Sequence, residues 1–281
     1  MLKIAVPNKG SLADASAQLL REAGYRQRKD SKELVLTDAA NGAEFFYLRP
    51  RDIAVYVGEG TLDIGITGRD LLLDSQAQAR EVRPLGFGES RFRFAAPPGV
   101  IGGVDDLKGK RIATSYAGIM DSFLAERDIE AHVIRLDGAV ESAIRLGVAD
   151  VIADVVETGS TLRQAGLEIV ADTILRSEAV LITRRDAADP PGLEVFLRRV
   201  HGVLVARSYV MMDYDIRAER VEEACDLTPG IESPTVSPLH REGWVAVRAM
   251  VLRDQAQKIM DDLWELGARG ILVTDIHACR L

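Results

Sequence analysis

Short, mostly apolar runs, each cut off by a turn that opens a helical stretch, constrain this chain more than anything else in its sequence. Residues 2–7 form one such run, and Asn8-Lys9-Gly10 turns the chain. Ser11 is a good N-cap, with Asp14 three positions on as an approximate capping box. Leu12, Ala15, Leu19 and Leu20 then recur with helical spacing, and Gly24 closes the helix. Residues 44–48 are a second strand. Pro50 suits the first turn of a helix whose apolar face includes Ile53 and Val57. Residues 62–67 are a third strand, ending in Thr67-Gly68-Arg69-Asp70. Strand, turn, helix, strand is the rhythm of a parallel α/β sheet.

After Phe87-Gly88 the rhythm restarts. Residues 92–96, 112–115, 133–136 and 151–156 read as strands, and 140–146 as a helix. Residues 169–175 and 179–183 are strands leading out of this second lobe, and 193–206 is a long helix. The remainder is organised differently. Strand-like residues 210–215, a helix over 218–224, an extended piece at 234–238, a strand at 244–252, an amphipathic helix at 255–266 and a strand at 270–276 give the order β-α-β-β-α-β. That order fits a ferredoxin-like module of about 70 residues. The expected division is residues 1–90 with 180–209 as one lobe, 91–179 as a second, and 210–281 as the module.

The strand at 151–156 leads into the most informative loop. Asp154 sits near the strand end, and Glu157, Thr158, Gly159, Ser160 and Thr161 turn the chain into a helix near Leu162. Backbone N–H groups and hydroxyls at a helix N-terminus make an anion site, and Gly159 lets the backbone approach a phosphate with no Cβ in the way. A carboxylate next to such a turn suits a sugar phosphate. The plainer reading is that Thr-Gly-Ser turns and caps well in any α/β protein.

Composition removes several function classes. With 281 residues, 47% of them hydrophobic, the chain has enough length for two or three domains, and aromatics at 5% leave an aliphatic core. No stretch approaches the ~18 apolar residues of a membrane span, and the N-terminus lacks a signal-peptide pattern, so a cytoplasmic enzyme without a membrane role is expected. The net charge of −8 argues against nucleic-acid binding. It leaves room for local clusters such as Lys9, Arg49, Arg51 and Arg69 to hold anions. Cys225 and Cys279 have no metal or redox spacing, and His132, His201, His240 and His277 show no metal or triad arrangement.

Acid, two apolar residues, Glu, then Thr-Gly-x-Thr resembles the loop that binds phosphoribosyl pyrophosphate in phosphoribosyltransferases. The common version has two adjacent acids. Here Ala153 precedes Asp154, as in ATP phosphoribosyltransferase. Four further segments, 5–12, 48–53, 63–70 and 136–141, resemble that family in the same order, so the likeness runs along nearly the whole chain. The C-terminal module resembles the regulatory domain of the long form, which acts alone. The short form lacks it and needs a separate subunit. The resemblance implies a periplasmic-binding-protein-like bilobal catalytic part with its active site between the lobes. It implies attack of adenine N1 of ATP on the anomeric carbon of phosphoribosyl pyrophosphate, with pyrophosphate leaving, as the first step of histidine biosynthesis. It further implies Mg2+, feedback inhibition by histidine, and a homo-hexamer in exchange with a dimer.

Carried onto this chain, the resemblance assigns Asp154 to the ribose hydroxyls, and Val155, Val156, Glu157, Thr158, Gly159, Ser160, Thr161 and Leu162 to the loop around the 5′-phosphate. Lys9, Gly10, Arg49, Asp70 and Glu141 fall to ATP or pyrophosphate. Four of these have a plainer alternative: a solvated turn lysine for Lys9, a surface ion pair with Asp52 for Arg49, a helix cap for Asp70, and a carboxylate favoured by the helix dipole for Glu141. Asp215, Ser233 and Thr235 are assigned to effector histidine, against a proline-rich turn with caps. No acid or base is assigned, because adenine N1 already has a lone pair, and the Mg2+ ligands are unknown. Two other functions compete: a solute-binding sensor, which does not need the loop at 154–162, and a phosphoribosyltransferase for another base, which should carry the missing second acid.

Overall fold

The structure, a computed structural model, describes residues 1–156 and 159–280, with the side chains of Ser160 and Thr161 outside the description. It divides into two compact units, Met1–Gln18 with Arg26–Leu193, and Leu19–Tyr25 with Glu194–Leu281.

The first unit holds two sheets. One is built from β1 (Leu2–Pro7), β2 (Val35–Asp38), β3 (Ala43–Leu48), β4 (Ile64–Gly68) and β5 (Ala79–Pro84), joined by β11 (Ala179–Arg184), in the order β2-β3-β1-β4-β11-β5. The other contains β6 (Ser90–Ala96), β7 (Arg111–Thr114), β8 (His132–Arg135), β9 (Val151–Val156) and β10 (Glu168–Ser177), in the order β10-β6-β9-β7-β8. Helices α1 (Ser11–Glu22), α2 (Pro50–Gly58), α3 (Arg69–Ser75), α4 (Ala117–Glu126), α5 (Glu141–Arg145) and α6 (Ser160–Gln164) follow the strands.

The purely parallel rhythm needs correction. β1 runs parallel to β3 and β4, and β7 parallel to β8 and β9, but β2, β6, β10 and β11 pair antiparallel. β11 enters straight from the second sheet through Glu178, with no crossover helix to reverse it, and slots between β4 and β5. β2 and β5 escape the sequence reading because they are short or charged strands at sheet edges, where apolar patterning fades. α4 escapes it too, although Ile119, Met120, Phe123 and Leu124 share one buried face. That face packs on Phe92, Phe94, Ile112 and Val151, with the Phe94 and Phe123 rings edge to face at 5.5 Å.

In the second unit α7 (Leu193–Ser208) packs against the segment just after α1 through Tyr25 and Phe196, whose rings are 5.4 Å apart. Beyond it lie β12 (Tyr209–Arg217), α8 (Val221–Leu227), β13 (Thr235–Pro238), β14 (Trp244–Leu252), α9 (Ala256–Glu265) and β15 (Arg269–Asp275). All pairings are antiparallel and the strand order is β13-β14-β12-β15, the expected ferredoxin-like module. Along β12, Val210, Met212, Tyr214 and Ile216 enter the core with Leu263 of α9, which leaves Met211, Asp213 and Asp215 on the opposite face.

Candidate active site

In both sheets of the first unit the candidate residues cluster where parallel strands end, the position at which open α/β sheets bind ligands. β3, β1 and β4 are adjacent, and Arg49, Lys9 and Asp70 follow their carboxyl ends. In the second sheet, Glu141 follows β8, Tyr116 follows β7 and Asp154 lies toward the carboxyl end of β9.

β1 and β3 end in register, Pro7 opposite Leu48, and the Asn8 N–H donates to the Leu48 carbonyl at 2.8 Å. Gly10 takes a left-handed φ of 78°, which turns the chain into α1 and leaves Lys9 exposed. Arg49 is also exposed, extended at the N-cap of α2 with no side-chain cap. Among the described residues neither cation has an ion-pair partner, so the Arg49–Asp52 pair does not form. The buried Oδ1 of Asn8 likewise finds no hydrogen-bond donor among them. Two unpaired cations and an orphaned acceptor at adjoining strand ends leave hydrogen-bonding capacity for a ligand.

Asp70 is only 7% exposed. Its Oδ1 accepts from the Leu71 N–H and from the Ser177 hydroxyl, both at 2.9 Å, while the Asp70 N–H donates to Ser177 Oγ at 2.9 Å. It therefore steadies the start of α3. The carboxylate also lies against Gly68, where a Cβ would collide with it.

Asp154 is half-buried, and Oδ1 accepts from the Val155 N–H at 2.8 Å. Burial pushes its carboxyl above the usual carboxylate range; the Val155 N–H opposes this, the charge of Glu141 adds to it, Arg51 opposes it and Asp70 adds to it. Asp154, Glu141 and Asp70 thus share one electrostatic environment across the two sheets. Tyr116 belongs to it as well. Burial first, then Asp70 and Asp154, push its phenol well above its ordinary range.

Arg51 is the cation in their midst. Its guanidinium lies 4.8 Å from the centre of the Tyr116 ring, and Nη1 meets Asp74 Oδ2 at 2.5 Å. Asp74 reaches across to the second lobe, accepting the Gly118 N–H at 2.9 Å on Oδ1. Helix α4 has no side-chain cap of its own, so a carboxylate from the last turn of α3 supplies one. Gly118 fits only because it lacks a Cβ, which would run into the Asp74 carbonyl.

Beyond β9, Gly159 is buried with φ 70°, a left-handed conformation that favours glycine, and Leu162 is buried. Glu157 and Thr158 lie outside the described residues, as do the side chains of Ser160 and Thr161. In the second unit, Asp215 and Thr235 share the sheet face away from the helices: Thr235 stands opposite Arg248, and Arg248 opposite Asp213. Ser233 is exposed beside that strand. Among the described residues, no group of three or more His, Cys, Asp or Glu is arranged to hold a metal ion.

Sequence reasoning missed Tyr116, Asn8, Ser177 and Asp74, and it noted Arg51 only as part of a basic cluster. The helical spacing of Ile119, Met120, Phe123 and Leu124 would have placed Tyr116 at a strand-to-helix turn, the same context that singled out Asp70 and Asp154.

A family profile described as ATP phosphoribosyltransferase matches residues 49–202, and one described as HisG, C-terminal domain, matches residues 206–278. A protein of Streptomyces coelicolor named ATP phosphoribosyltransferase is 64% identical over 285 residues, covering 100% of both chains. One of the same name from Salinispora tropica is 64% identical over 281 residues, again with 100% of both chains covered. The solved ATP phosphoribosyl transferase (HisG:HisZ) complex from Thermotoga maritima superposes with a TM-score of 0.63 at 29% identity, covering 73% of this chain and 98% of that one.

Proposed function

The chain belongs to the ATP phosphoribosyltransferase family, and on that premise we propose that its first unit transfers the phosphoribosyl group of phosphoribosyl pyrophosphate to N1 of the ATP adenine. Pyrophosphate is released, and the product enters histidine biosynthesis. The observation that carries this reading is Asp154: a desolvated carboxylate near the end of β9, within range of the charges of Asp70 and Glu141, five positions before a left-handed Gly159. Ribose hydroxyls donating to Asp154 would offset its desolvation. The same charge would favour the positive charge that grows on the ring as the glycosidic bond breaks. Thr158 to Leu162 would carry the 5′-phosphate, with Glu157 turned out or toward the metal, and Lys9, Gly10 and Arg49 would hold polyphosphate oxygens. Asp70, Tyr116 and Glu141 would surround the adenosine.

Mg2+ fits this donor set as an ion that arrives on the diphosphate. It binds through one or two carboxylates plus substrate phosphates and needs no protein cage. Bound there, it would neutralise charge on the leaving pyrophosphate. We keep the division into lobes at 1–90 with 180–209 and at 91–179, with 210–281 as a module; the separate sheets support it, although residues 19–25 and 194–209 group with the module. We read the module as the site of histidine inhibition, through Asp215, Ser233 and Thr235, in a cytoplasmic homo-oligomer that exchanges between hexamer and dimer. The Thermotoga chain, matched over 98% of its length by 73% of this one, supports placing this chain with the long form.

The test supplies Mg2+, phosphoribosyl pyrophosphate and one acceptor at a time, and follows pyrophosphate. Release with ATP alone is expected. Release with another purine or pyrimidine, or none with ATP, overturns the reading. For the effector, Asp215→Asn should abolish histidine inhibition and leave uninhibited turnover intact. Unchanged inhibition would move the effector elsewhere.

A further inference from the structure

A cavity of about 530 Å3 opens in the first unit where β6, β9 and β10 lie side by side. Its lining includes Arg69, Ser90, Arg91, Val156, Arg176 and Ser177. Arg91 and Arg176 stand directly opposite each other in the antiparallel β6–β10 pair, and Arg91 is also opposite Val156 of β9. Residues opposed in this way share a sheet face and bring their Cβ atoms within about 5 Å, so like charges there repel. Both side chains are exposed, and among the described residues neither has an ion-pair partner.

The third arginine is already engaged. Arg69 donates to both carboxylate oxygens of Glu81 at 2.8 and 2.9 Å, and to Glu178 at 3.3 Å. Glu178 in turn accepts from the Gly86 N–H at 3.0 Å. Among the described residues, Glu89 is the other carboxylate lining the cavity, and no ion pair engages it. The cavity adjoins the candidate active site at two points: Ser177 holds Asp70, and Val156 lies two positions after Asp154 on β9.

Two forked donors on rigid strands, repelling each other until an anion intervenes, match a chain of phosphates. We propose that Arg91 and Arg176 form a polyphosphate subsite beside Asp70 and Val156, occupied by the triphosphate of ATP or the diphosphate of phosphoribosyl pyrophosphate. This assignment rests on the phosphoribosyl-transfer reading for its two ligands. Neither arginine belongs to any motif of the sequence analysis, because the register that pairs them joins strands about 85 residues apart.

The test compares the full-length protein with the Arg91→Gln/Arg176→Gln double variant and with Arg176→Gln alone, in case the double variant folds poorly. Inorganic tripolyphosphate should raise the melting temperature of the parent and leave the double variant unmoved. In turnover, about a tenfold or larger rise in KM is expected for one substrate, with kcat within about twofold. A rise for ATP places the triphosphate in the subsite. A rise for phosphoribosyl pyrophosphate places the diphosphate there. Arg91→Lys/Arg176→Lys should restore part of the affinity, since charge returns without the fork. Unchanged KM values with an undiminished tripolyphosphate shift, in the double variant or in Arg176→Gln if the double variant folds poorly, overturn the proposal. A parent that turns over nothing, yet is stabilised by tripolyphosphate through both arginines, would refute the transfer reaction and leave the subsite standing.

Discussion

In the C-terminal sheet the buried Tyr214 hydroxyl meets the Ala224 carbonyl at 3.1 Å and Thr228 Oγ1 at 2.8 Å, and Thr228 reaches the same carbonyl at 3.1 Å. Burial pushes that phenol up to about 12, with the Thr228 hydrogen bond pulling the other way, and the triangle closes on itself. In the first unit, Tyr116 is half-buried and also shifted upward, but two carboxylates contribute to its shift, Asp70 and Asp154. Asp154 is itself desolvated, and Arg51, whose charge opposes its shift, is held by Asp74. One tyrosine serves packing and is satisfied within its own unit. The other sits beside carboxylates whose repulsion a bound, hydrogen-donating ligand would relieve. Sites that bind substrate tolerate such strain, while stability is supplied by the rest of the fold.

The largest effect that would test this contrast is at Asp154. Asp154→Asn should lower turnover by about 10²–10³-fold, the scale of removing one preorganised electrostatic partner. It should also make the unliganded protein more stable at pH 7. A carboxyl whose folded pKa lies above its unfolded value costs stability above the folded value, and that cost disappears as the pH falls through it. The stability gain of the variant should therefore shrink toward pH 3.8, the ordinary value, in denaturant titrations at several pH values. Normal turnover with reduced stability would make Asp154 a structural residue and dissolve the contrast.

Gly118→Ala comes next. Its Cβ has to displace the Asp74 backbone, which cannot give way as a side-chain tip can. A cost of about 1–3 kcal/mol is expected, with raised KM values because Arg51 and the α4 N-terminus share Asp74. Calorimetry and steady-state kinetics on one preparation would show whether stability and substrate affinity fall together. A loss of stability alone would separate the α3–α4 contact from the site.

Tyr214→Phe should cost about 1 kcal/mol, because Thr228 keeps the Ala224 carbonyl as a partner. Turnover without histidine should not change. A drop in turnover would mean that the C-terminal core does not merely hold its own module together.

The smallest effect concerns Asp150, whose hydrogen bonds with Arg111 hold its carboxyl down at about 2. Its contribution is present above the ordinary carboxylate value and lost as the pH falls through about 2. The two side chains are 32% and 43% exposed, so Asp150→Asn should cost less than about 1 kcal/mol at pH 7. The difference should vanish in melts near pH 2.

Much of this was legible in the chain itself. The unbroken run before Asp154, the Gly159 turn and the strand ends at Lys9, Arg49 and Asp70 can be read locally, because strand hydrophobicity and turn chemistry act over a few residues. The βαββαβ order of the C-terminal module is legible for the same reason. What the sequence alone determined is therefore which elements form and which residues stand at their ends.

Only the tertiary structure decided who faces whom. It set Asp70 and Asp154 in one electrostatic environment, lent the Asp74 carboxylate to a helix of the other lobe, inserted β11 antiparallel between β4 and β5, and aligned Arg91 with Arg176. Those outcomes depend on register and on packing between strands far apart in the chain. A shift of one residue would turn either arginine to the other face of its sheet, and no local pattern encodes that choice.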